Sequence, residues 1–487
     1  MKQFLHIISA LCLLIIAIIL VEHSNKPDQE TFTSQELTII LKDNGTLPRG
    51  KQLDSFNKRP SDWYYRQRAY PYDDIPREKQ KLALKIAKDD LRLKQRDGVI
   101  WEEAGPTNIP GRITDIAIDT TLSEHIIYVG SAAGGVFKST DNGTNWIPIF
   151  DDVGVLPIGA IAINPQNTDI IYVGTGEANS GADTYEGNGI YKSIDGGDTW
   201  THVGLPNSYH IGRLVVDPLR PDTIYAAVGG KHFGALNPER GLYRSDDGGA
   251  TWIQKLYVSD STSCIDLALH PTTGTVFACM WEKVRYKGDH VRLGGITSGF
   301  WRSSDFGDNW TLVSGAGGYP AQASNISRIG VTVDPYSNTV YSSVIDLNNY
   351  DLFGVYKSTD LGLNWIQTND GDLDGMFGGF GWYFGQIRVG PGNPNIVYVL
   401  GVQLYTSIDG GNSWSWDGNG IHVDHHALSL LPNADFPGMF IAYEGCDGGV
   451  NYRAKESDSW SNLANMHNTQ FYAIHIDETN PLRIYGG

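Results

Sequence analysis

The stretch KSIDGGDTW, residues 192–200, indicates the fold because near-copies of it recur along the chain. Each copy carries a Ser, an Asp two residues later, a Gly two residues after the Asp, and a closing Trp. The other five copies are KSTDNGTNW (138–146), RSDDGGATW (244–252), RSSDFGDNW (302–310), KSTDLGLNW (357–365) and TSIDGGNSW (406–414). Six copies with identical chemistry cannot form one active site, so we interpret the motif as a structural fastening.

The closing tryptophans lie 54, 52, 58, 55 and 49 residues apart, and a period near 50 indicates a repeat architecture. A seventh, degenerate copy, GGVNYRAKESDSW (448–460), aligns without gaps to GGVFKSTDNGTNW (134–146). Upstream of each copy lie a segment that alternates with period two, as in RITDIAID (112–119), and a second strand, as in IIYVG (170–174). Four short antiparallel strands per repeat predict an all-β fold, a β-propeller of about seven to eight four-stranded blades.

The motif is expected at the turn between the third and fourth strands of a blade, where each residue has a physical task. Gly adopts the positive φ of a tight turn, the Asp carboxylate accepts hydrogen bonds from turn N–H groups, and the Ser hydroxyl adds local bonds. The Trp is a large apolar anchor between neighbouring blades. The carboxylates given this structural role are Asp141, Asp195, Asp247, Asp305, Asp360 and Asp409.

The S-x-D-x-G-x-x-W units resemble Asp-boxes, also called BNR repeats. The region from about residue 99 to residue 487 resembles two kinds of Asp-box propeller, those of sortilin-type receptors and those of xyloglucan-cleaving glycoside hydrolases. The resemblance implies a propeller and allows either function, because a fold does not by itself determine a function.

Composition narrows the class of partner. The chain contains 57 Gly residues and 11% aromatic residues, as expected for many short strands and tight turns. Its formal net charge is −18, which repels phosphate backbones and argues against nucleic acid as a partner. The expected partner is a glycan, a peptide or a protein, and no cofactor is expected.

The N-terminal region is predicted to be separate from the propeller. An apolar run at residues 7–21 follows a Lys, so residues 1–24 are predicted to be a signal peptide or signal anchor. The protein is therefore expected to be exported, either secreted or at the cell surface, with membrane attachment through the apolar run as the alternative to cleavage. Residues 25–98 are predicted to be a leader with one helix at 77–97, and residues 99–487 the propeller.

The end of the chain and the cysteines leave alternatives open. Residues 471–487 restart a repeat and then end, so the last blade is expected to be incomplete. The segment VIWEEAGP (99–106) resembles a strand that follows a motif copy, and pairing it into the last blade would close a ring. Cys264 and Cys279 flank a strand–turn–strand segment that places them nearly opposite each other, which is compatible with a disulfide or with two buried thiols.

One face of the propeller is predicted to carry the ligand contacts. The second-to-third loops and the entries to the first strands open on that face, and the loops are long in repeats 2 to 5 only, which makes a groove. Charged groups in such crowded positions must be paired or functional, so ligand binding and a structural salt-bridge network both remain open. The ligand-binding candidates are Arg112, His210, Arg213, Arg328, Tyr383, His425, His426 and Gln470.

Catalytic candidates are fewer. HVDHH (422–426) is dense in potential metal ligands and proton carriers, but it lacks the spacing of a standard zinc site, and metal binding stays undecided. The resemblance to xyloglucan-cleaving hydrolases implies a catalytic Asp just before the Gly-Gly of the first blade, where this chain has Ala132 and Ala133. The remaining catalytic candidates are Glu177, Asp424 and Asp447.

Three functional classes follow. A module that binds a peptide, protein or glycan needs only the loop-built face, and it is the hypothesis that the sequence favours. A glycoside hydrolase needs two carboxylates across a groove, and the absent first-blade Asp counts against it. A scaffold within a longer surface protein is the third class.

Overall fold

The computed structural model describes residues 63–72, 74–76, 79–80, 82–83, 86, 105–121, 124–181, 184–233, 237–285, 291–323, 325–471, 474–477, 479 and 483–486. The predicted signal segment and most of the predicted helix at 77–97 lie outside the described residues. Within the described part of the chain, no helix has both the length and the apolar character needed to cross a bilayer.

Seven antiparallel four-stranded sheets, each with its strands in chain order, form the propeller. Blade 1 consists of β1 (Ile113–Asp119), β2 (Ile126–Ser131), β3 (Gly135–Ser139) and β4 (Ile147–Pro148). Blade 2 consists of β5 (Ile158–Ile163), β6 (Ile171–Thr175), β7 (Ile190–Ser193) and β8 (Thr201–His202). Blade 3 consists of β9 (Ile211–Val216), β10 (Ile224–Val228), β11 (Gly241–Ser245) and β12 (Ile253–Leu256). Blade 4 consists of β13 (Thr262–His270), β14 (Thr275–Glu282), β17 (Gly299–Ser303) and β18 (Thr311–Leu312), with a ribbon of β15 (Val284–Arg285) and β16 (Val291–Arg292) in its long loop.

Blades 5 to 7 complete the ring. Blade 5 consists of β19 (Ile326–Val333), β20 (Val340–Asp346), β21 (Leu352–Ser358) and β22 (Ile366–Gln367). Blade 6 consists of β23 (Gln386–Gly390), β24 (Asn393–Leu400), β25 (Leu404–Ser407) and β26 (Ser415–Trp416). Blade 7 consists of β27 (His425–Pro432), β28 (Phe440–Cys446), β29 (Gly449–Arg453) and β30 (Ser461–Leu463). A two-stranded sheet of β31 (Ile474–Ile476) and β32 (Ile484–Gly486) follows, and short 3₁₀ turns occur at Asp151–Val153 and Gly371–Leu373. The all-β prediction is confirmed, with seven blades.

The innermost strands line the axis and contact one another around the ring. They approach so closely that a Cβ on Gly159 would lie 2.0 Å from the carbonyl oxygen of Ile211 in the next blade. Glycine at such a position permits the close backbone approach. Large buried hydrophobic side chains fill the space between blades, so the core is distributed around the ring.

The ring closes where β27 and β28 of blade 7 pack against β1. The Asn468 side chain bridges the junction, accepting from the Gly111 N–H over 2.9 Å and donating to the Gly111 carbonyl over 3.3 Å. Blade 7 draws all four strands from residues 425–463, so it needs no strand from segment 99–106, of which only 105–106 are described.

The repeated motif forms a turn between the third and fourth strands of each of the first six blades. In blade 2, Ser193 Oγ donates to Asp195 Oδ1 over 2.7 Å and accepts from the Gly197 N–H over 2.8 Å. Thr199 donates to both Asp195 oxygens, at 2.9 Å and 2.6 Å. The same Ser–Asp and Gly–Ser bonds occur in the other five copies. These turns lie at the end of the blades opposite to the second-to-third loops.

The closing tryptophans reach the preceding blade, as predicted. Trp200 Nε1 donates to the Ile149 carbonyl of blade 1 over 2.8 Å, and Trp252 Nε1 donates to the Val203 carbonyl of blade 2 over 2.8 Å. These two tryptophans thereby join neighbouring blades by a hydrogen bond, whereas Trp310 and Trp365 donate to the Gly307 and Gly362 carbonyls of their own turns over 3.0 Å.

Helix α1 (Trp63–Ala69), in the described part of the predicted leader, packs on the propeller. The Tyr65 ring stacks on Phe233 of a blade 3 loop, with 4.2 Å between ring centroids. Arg68 donates to the carbonyl of Thr184 in a blade 2 loop, at 3.3 Å and 3.4 Å.

Cys264 and Cys279 are buried free thiols, so they do not form the possible disulfide. A register shift in β13 places Cys264 opposite Met280, while Cys279 lies opposite Asp266.

We expect Trp365→Ala to lower the free energy of unfolding by about 3–5 kcal/mol, the usual cost of truncating a buried large aromatic side chain. Trp365 is 4% exposed and packs against Phe300 and Tyr319 of blade 4 at centroid distances of 5.5 Å and 5.1 Å. Trp416→Ala is the matched control, because Trp416 is 53% exposed and should change stability by less than about 0.5–1 kcal/mol. Urea denaturation measures both, and equal effects would contradict the interpretation of the motif as a fastening.

Asp195→Asn tests the charge of a repeat turn. Hydrogen bonds from Thr199 and Ser193 lower the pKa of Asp195 from 3.8 to about 2. A lowered pKa contributes stability that is present above the unfolded pKa and is lost as the pH falls through the folded pKa. The stability difference between the wild type and Asp195→Asn should therefore shrink as the pH falls from well above 3.8 to about 2 in urea titrations. A difference independent of pH would refute this role.

Candidate functional site

The candidate site lies at the end of the propeller where second-to-third loops meet the entries to the first strands. Glu177 follows β6, and Asp447 lies between β28 and β29. Arg112 and Asp424 directly precede β1 and β27, and Tyr383 lies shortly before β23. Chain reversal within each blade therefore brings residues from blades 1, 2, 6 and 7 to one end.

Arg112 joins two carboxylates at this end. Its Nε and Nη2 donate to the oxygens of Asp447 over 2.9 Å and 3.4 Å, and its Nη1 lies 3.4 Å from both oxygens of Glu177. The Tyr383 hydroxyl accepts from Arg112 Nη1 and donates to Glu177 Oε1, both over 2.5 Å. The Glu177 side chain is 3% exposed and that of Asp447 is 26% exposed, so Asp447 is the carboxylate of this pair that faces solvent.

A β-bulge brings His426 into the same group. β27 pairs with β28 through His425 and Ala427, which leaves His426 as the extra residue of the bulge. A bulge of this kind redirects a side chain, and here Nε2 of His426 lies 2.7 Å from Asp447 Oδ1.

Asp424, which belongs to the linker between blades 6 and 7, lies beside Asp447. Its backbone has φ of +70°, in the left-handed region that few residues other than glycine adopt, and its carbonyl accepts from the Asp447 N–H over 3.1 Å. The half-buried Asp424 carboxylate accepts no hydrogen bond from any described residue. Backbone conformations of this kind cluster at functional sites.

The two neighbouring aspartates have pKa values driven in opposite directions. Burial and then the charge of Asp447 raise the pKa of Asp424. Burial opposes ionisation of Asp447 as well, but hydrogen bonds and charge from His426 and Arg112 hold the pKa of Asp447 well below its ordinary value. As the pH rises, Asp447 therefore ionises first and the remaining proton of the pair is held on Asp424.

Buried cations support the Glu177 loop. Lys283, 1% exposed, donates from Nζ to the carbonyl of Ala178 over 3.0 Å. Arg328 donates to Asn179 Oδ1 over 2.7 Å and to the Tyr383 carbonyl over 2.6 Å. Burial and neighbouring guanidinium groups hold the pKa of Lys283 well below its ordinary value. The sequence pointed to Arg328 but not to Lys283 or Asn179, whose role depends on contacts between distant loops.

Arg213 belongs to a different network on the propeller axis. It donates to Asp266 over 3.1 Å, to Asp115 over 3.2 Å and to Gln386 Oε1 over 3.1 Å, so it joins blades 1, 3, 4 and 6. Asp115 also accepts from the Ile161 N–H over 2.9 Å. This geometry is that of the structural salt-bridge network that the sequence left open.

The other candidates have different surroundings. His425 Nδ1 lies 2.6 Å from Glu444 Oε1 in a buried pair within blade 7. His210 packs edge-on against His232, with 5.7 Å between ring centroids, and Gln470 is half-buried after blade 7.

The HVDHH segment does not gather its imidazoles. His425 and His426 contact different carboxylates, and His422 Nδ1 lies 2.7 Å from the Val423 carbonyl oxygen. Among the residues that the structure describes, no three His, Cys, Asp or Glu side chains are grouped as ligands for a metal ion.

Comparison with known proteins identifies relatives. No protein-family profile matches the chain. The chain is 26% identical over 351 residues to a xyloglucanase of Paenibacillus sp, covering 65% of this chain and 32% of that enzyme. It is 25% identical over 335 residues to a xyloglucanase of Hypocrea jecorina (strain QM6a), covering 60% of this chain and 36% of that enzyme. The chain thus spans about a third of the length of these curated relatives.

Solved structures share the fold. The GH74 xyloglucanase from Xanthomonas campestris has a TM-score of 0.54 and 18% identity, covering 75% of this chain and 56% of that one. The Niastella koreensis GH74 enzyme has a TM-score of 0.53 and 18% identity, covering 76% and 56%. The chain is therefore a seven-blade β-propeller resembling the GH74 xyloglucanases.

The comparisons correct the function favoured from the sequence. A sortilin-like binding module was expected, because Ala132 and Ala133 occupy the first-blade position where the resemblance called for a carboxylate. That expectation is wrong, since the curated relatives are xyloglucanases, which are glycoside hydrolases.

We expect Arg112→Met to lower the free energy of unfolding by about 3 kcal/mol, because it leaves two carboxylates without their shared cation. Adding Glu177→Gln to Arg112→Met should restore part of the lost free energy of unfolding, because it removes one of the uncompensated charges. Urea denaturation of both single variants and the double variant forms a double-mutant cycle. Strictly additive effects would show that Arg112 and Glu177 are not coupled.

Proposed function

We propose that this chain supplies the acid pair of a glycoside hydrolase that cleaves xyloglucan. The observation that carries the proposal is the adjacent pair Asp424 and Asp447, whose pKa values are displaced in opposite directions. Glycoside hydrolysis generally needs one protonated and one ionised carboxyl group, and pairs displaced in this way mark acid and base roles. The xyloglucanase relatives support a glycan as the substrate.

In this mechanism Asp424 donates its proton to the glycosidic oxygen as the bond to the departing sugar breaks. Asp447, held ionised by Arg112 and His426, stabilises the positive charge that develops on the sugar. It then either takes a proton from the water that bonds to the anomeric carbon, or bonds to that carbon itself to form a glycosyl-enzyme that water hydrolyses. Glu177 is a positioning residue in this scheme, because it is almost fully buried and bonded to both Arg112 and Tyr383. His426 orients Asp447 through its hydrogen bond.

The repeated turns take no part in this chemistry. We assign them to the Asp-box type on the Ser–Asp–Gly bonding pattern and on their position at the opposite end of the blades. Export of the protein, which the apolar run at residues 7–21 predicts, is consistent with a polysaccharide substrate.

Asp424→Asn and Asp447→Asn should each lower kcat on xyloglucan by about 10²–10⁴-fold, the usual contribution of a positioned acid or base. Release of reducing ends measures the rate. Asp198→Asn is the matched control, because Asp198 is an exposed residue of a repeat turn at the opposite end of blade 2.

The pH profile gives a second readout. Activity requires protonated Asp424, so it should fall as the pH rises through the pKa of Asp424, which lies above the ordinary value of 3.8. Wild-type rates retained in both variants would exclude these two residues as the acid pair.

A further inference from the structure

A groove of about 760 Å³ lies between the leader and blades 1 and 2. We name it the leader groove; residues 75–76 and 79–80 line it from the leader, and residues 154–157 and 185–188 line it from the blades. Its volume is within the range of roughly 300–1,000 Å³ that is typical of ligand sites.

The leader groove adjoins the group formed by Arg112, Glu177, Tyr383 and Asp447 through two of its walls. Ala133 lines the groove, and the N–H of the preceding Ala132 donates to the Arg112 carbonyl over 3.1 Å. On the other side, the carbonyl of Pro157 accepts from the N–H of Gly176, the residue before Glu177, over 2.7 Å. The groove therefore shares backbone hydrogen bonds with the segments that carry Arg112 and Glu177.

The leader is anchored well enough to form a wall. Beside the Tyr65–Phe233 stack, Lys231 of a blade 3 loop forms an ion pair with Asp74. The Arg68 guanidinium lies over the Tyr185 ring, 4.5 Å from its centroid.

The lining of the groove suits an uncharged polyhydroxyl chain. Ile75, Pro76, Leu156 and Pro157 offer apolar surface for the C–H faces of sugar rings. The charged lining residues balance each other, since Arg68 and Lys79 are matched by Asp151 and Glu186.

We propose that the leader groove is a binding subsite for sugar units of the glycan beyond those at Asp424 and Asp447. This inference rests on the proposed function, because the acid pair defines which ligand extends into the groove. The side-chain amides of Gln80 and Asn188, on opposite walls, serve as partners for sugar hydroxyls. The N-terminal leader thereby becomes part of the substrate site.

Binding is measured by isothermal titration calorimetry in the Asp447→Asn background, where turnover is suppressed, with long and short oligosaccharides prepared from xyloglucan. Gln80→Ala combined with Asn188→Ala removes two hydrogen-bonding groups, so it should lower the affinity for the long oligosaccharide about tenfold. The affinity for the short oligosaccharide should stay unchanged. Gln80→Trp, which fills the groove, should give the same selective loss. Tyr336→Ala is the control, since Tyr336 is 77% exposed in the turn between β19 and β20, at the opposite end of blade 5.

Turnover by the unsubstituted protein separates the two proposals. Selective loss of the long ligand supports the leader groove, whether or not the unsubstituted protein cleaves xyloglucan. Unchanged affinity in both groove variants overturns the leader groove, even if cleavage is observed and the hydrolase assignment stands. Binding of an unstructured peptide, but of no oligosaccharide, would overturn the glycan subsite as well.

Discussion

The attachment of each repeat turn to the preceding blade is the interaction on which the rest of the structure depends. The turn carbonyl of Gly196 in blade 2 accepts from Lys138 over 2.8 Å and from the Tyr128 hydroxyl over 3.2 Å, both in blade 1. Gly248 of blade 3 accepts in the same way from Lys192 and Tyr172 of blade 2. Together with the buried tryptophans, these bonds set the spacing of the sheets, and that spacing positions the loops at the other end.

The candidate site concentrates charge in positions where burial is costly, and it offsets that cost in two ways. Arg112 shares one guanidinium between Glu177 and Asp447, so three charges are held in a single hydrogen-bonded group. Lys283 and Arg328 instead donate to carbonyl and amide oxygens, and neither forms an ion pair with a described carboxylate. Buried charge is tolerated only with such hydrogen bonds, and these bonds connect the Glu177 loop to the segments that carry Lys283, Arg328 and Tyr383.

Much of the fold could be predicted from the sequence, whereas the site could be predicted only in part. The catalytic candidates Asp424 and Asp447 were both named, yet no sequence feature showed that they are neighbours, because one lies in an inter-blade linker and the other in a loop of blade 7. His426 reaches Asp447 only through a one-residue bulge, which alternation of apolar and polar residues does not reveal. The absence of a carboxylate at Ala132 and Ala133 favoured a binding module, a functional class that the xyloglucanase relatives contradict.

The sequence by itself determined the seven repeats, the turn chemistry and the tryptophan anchors, because these depend on residues close together in the chain and repeated at a regular period. Only the tertiary structure decided which charged residues meet. Arg112 and Asp447 are separated by 335 residues in the chain, and they are brought together by closure of the ring. Side chains that share one end of a propeller come from every blade, so their contacts depend on the register and bulges of many strands at once.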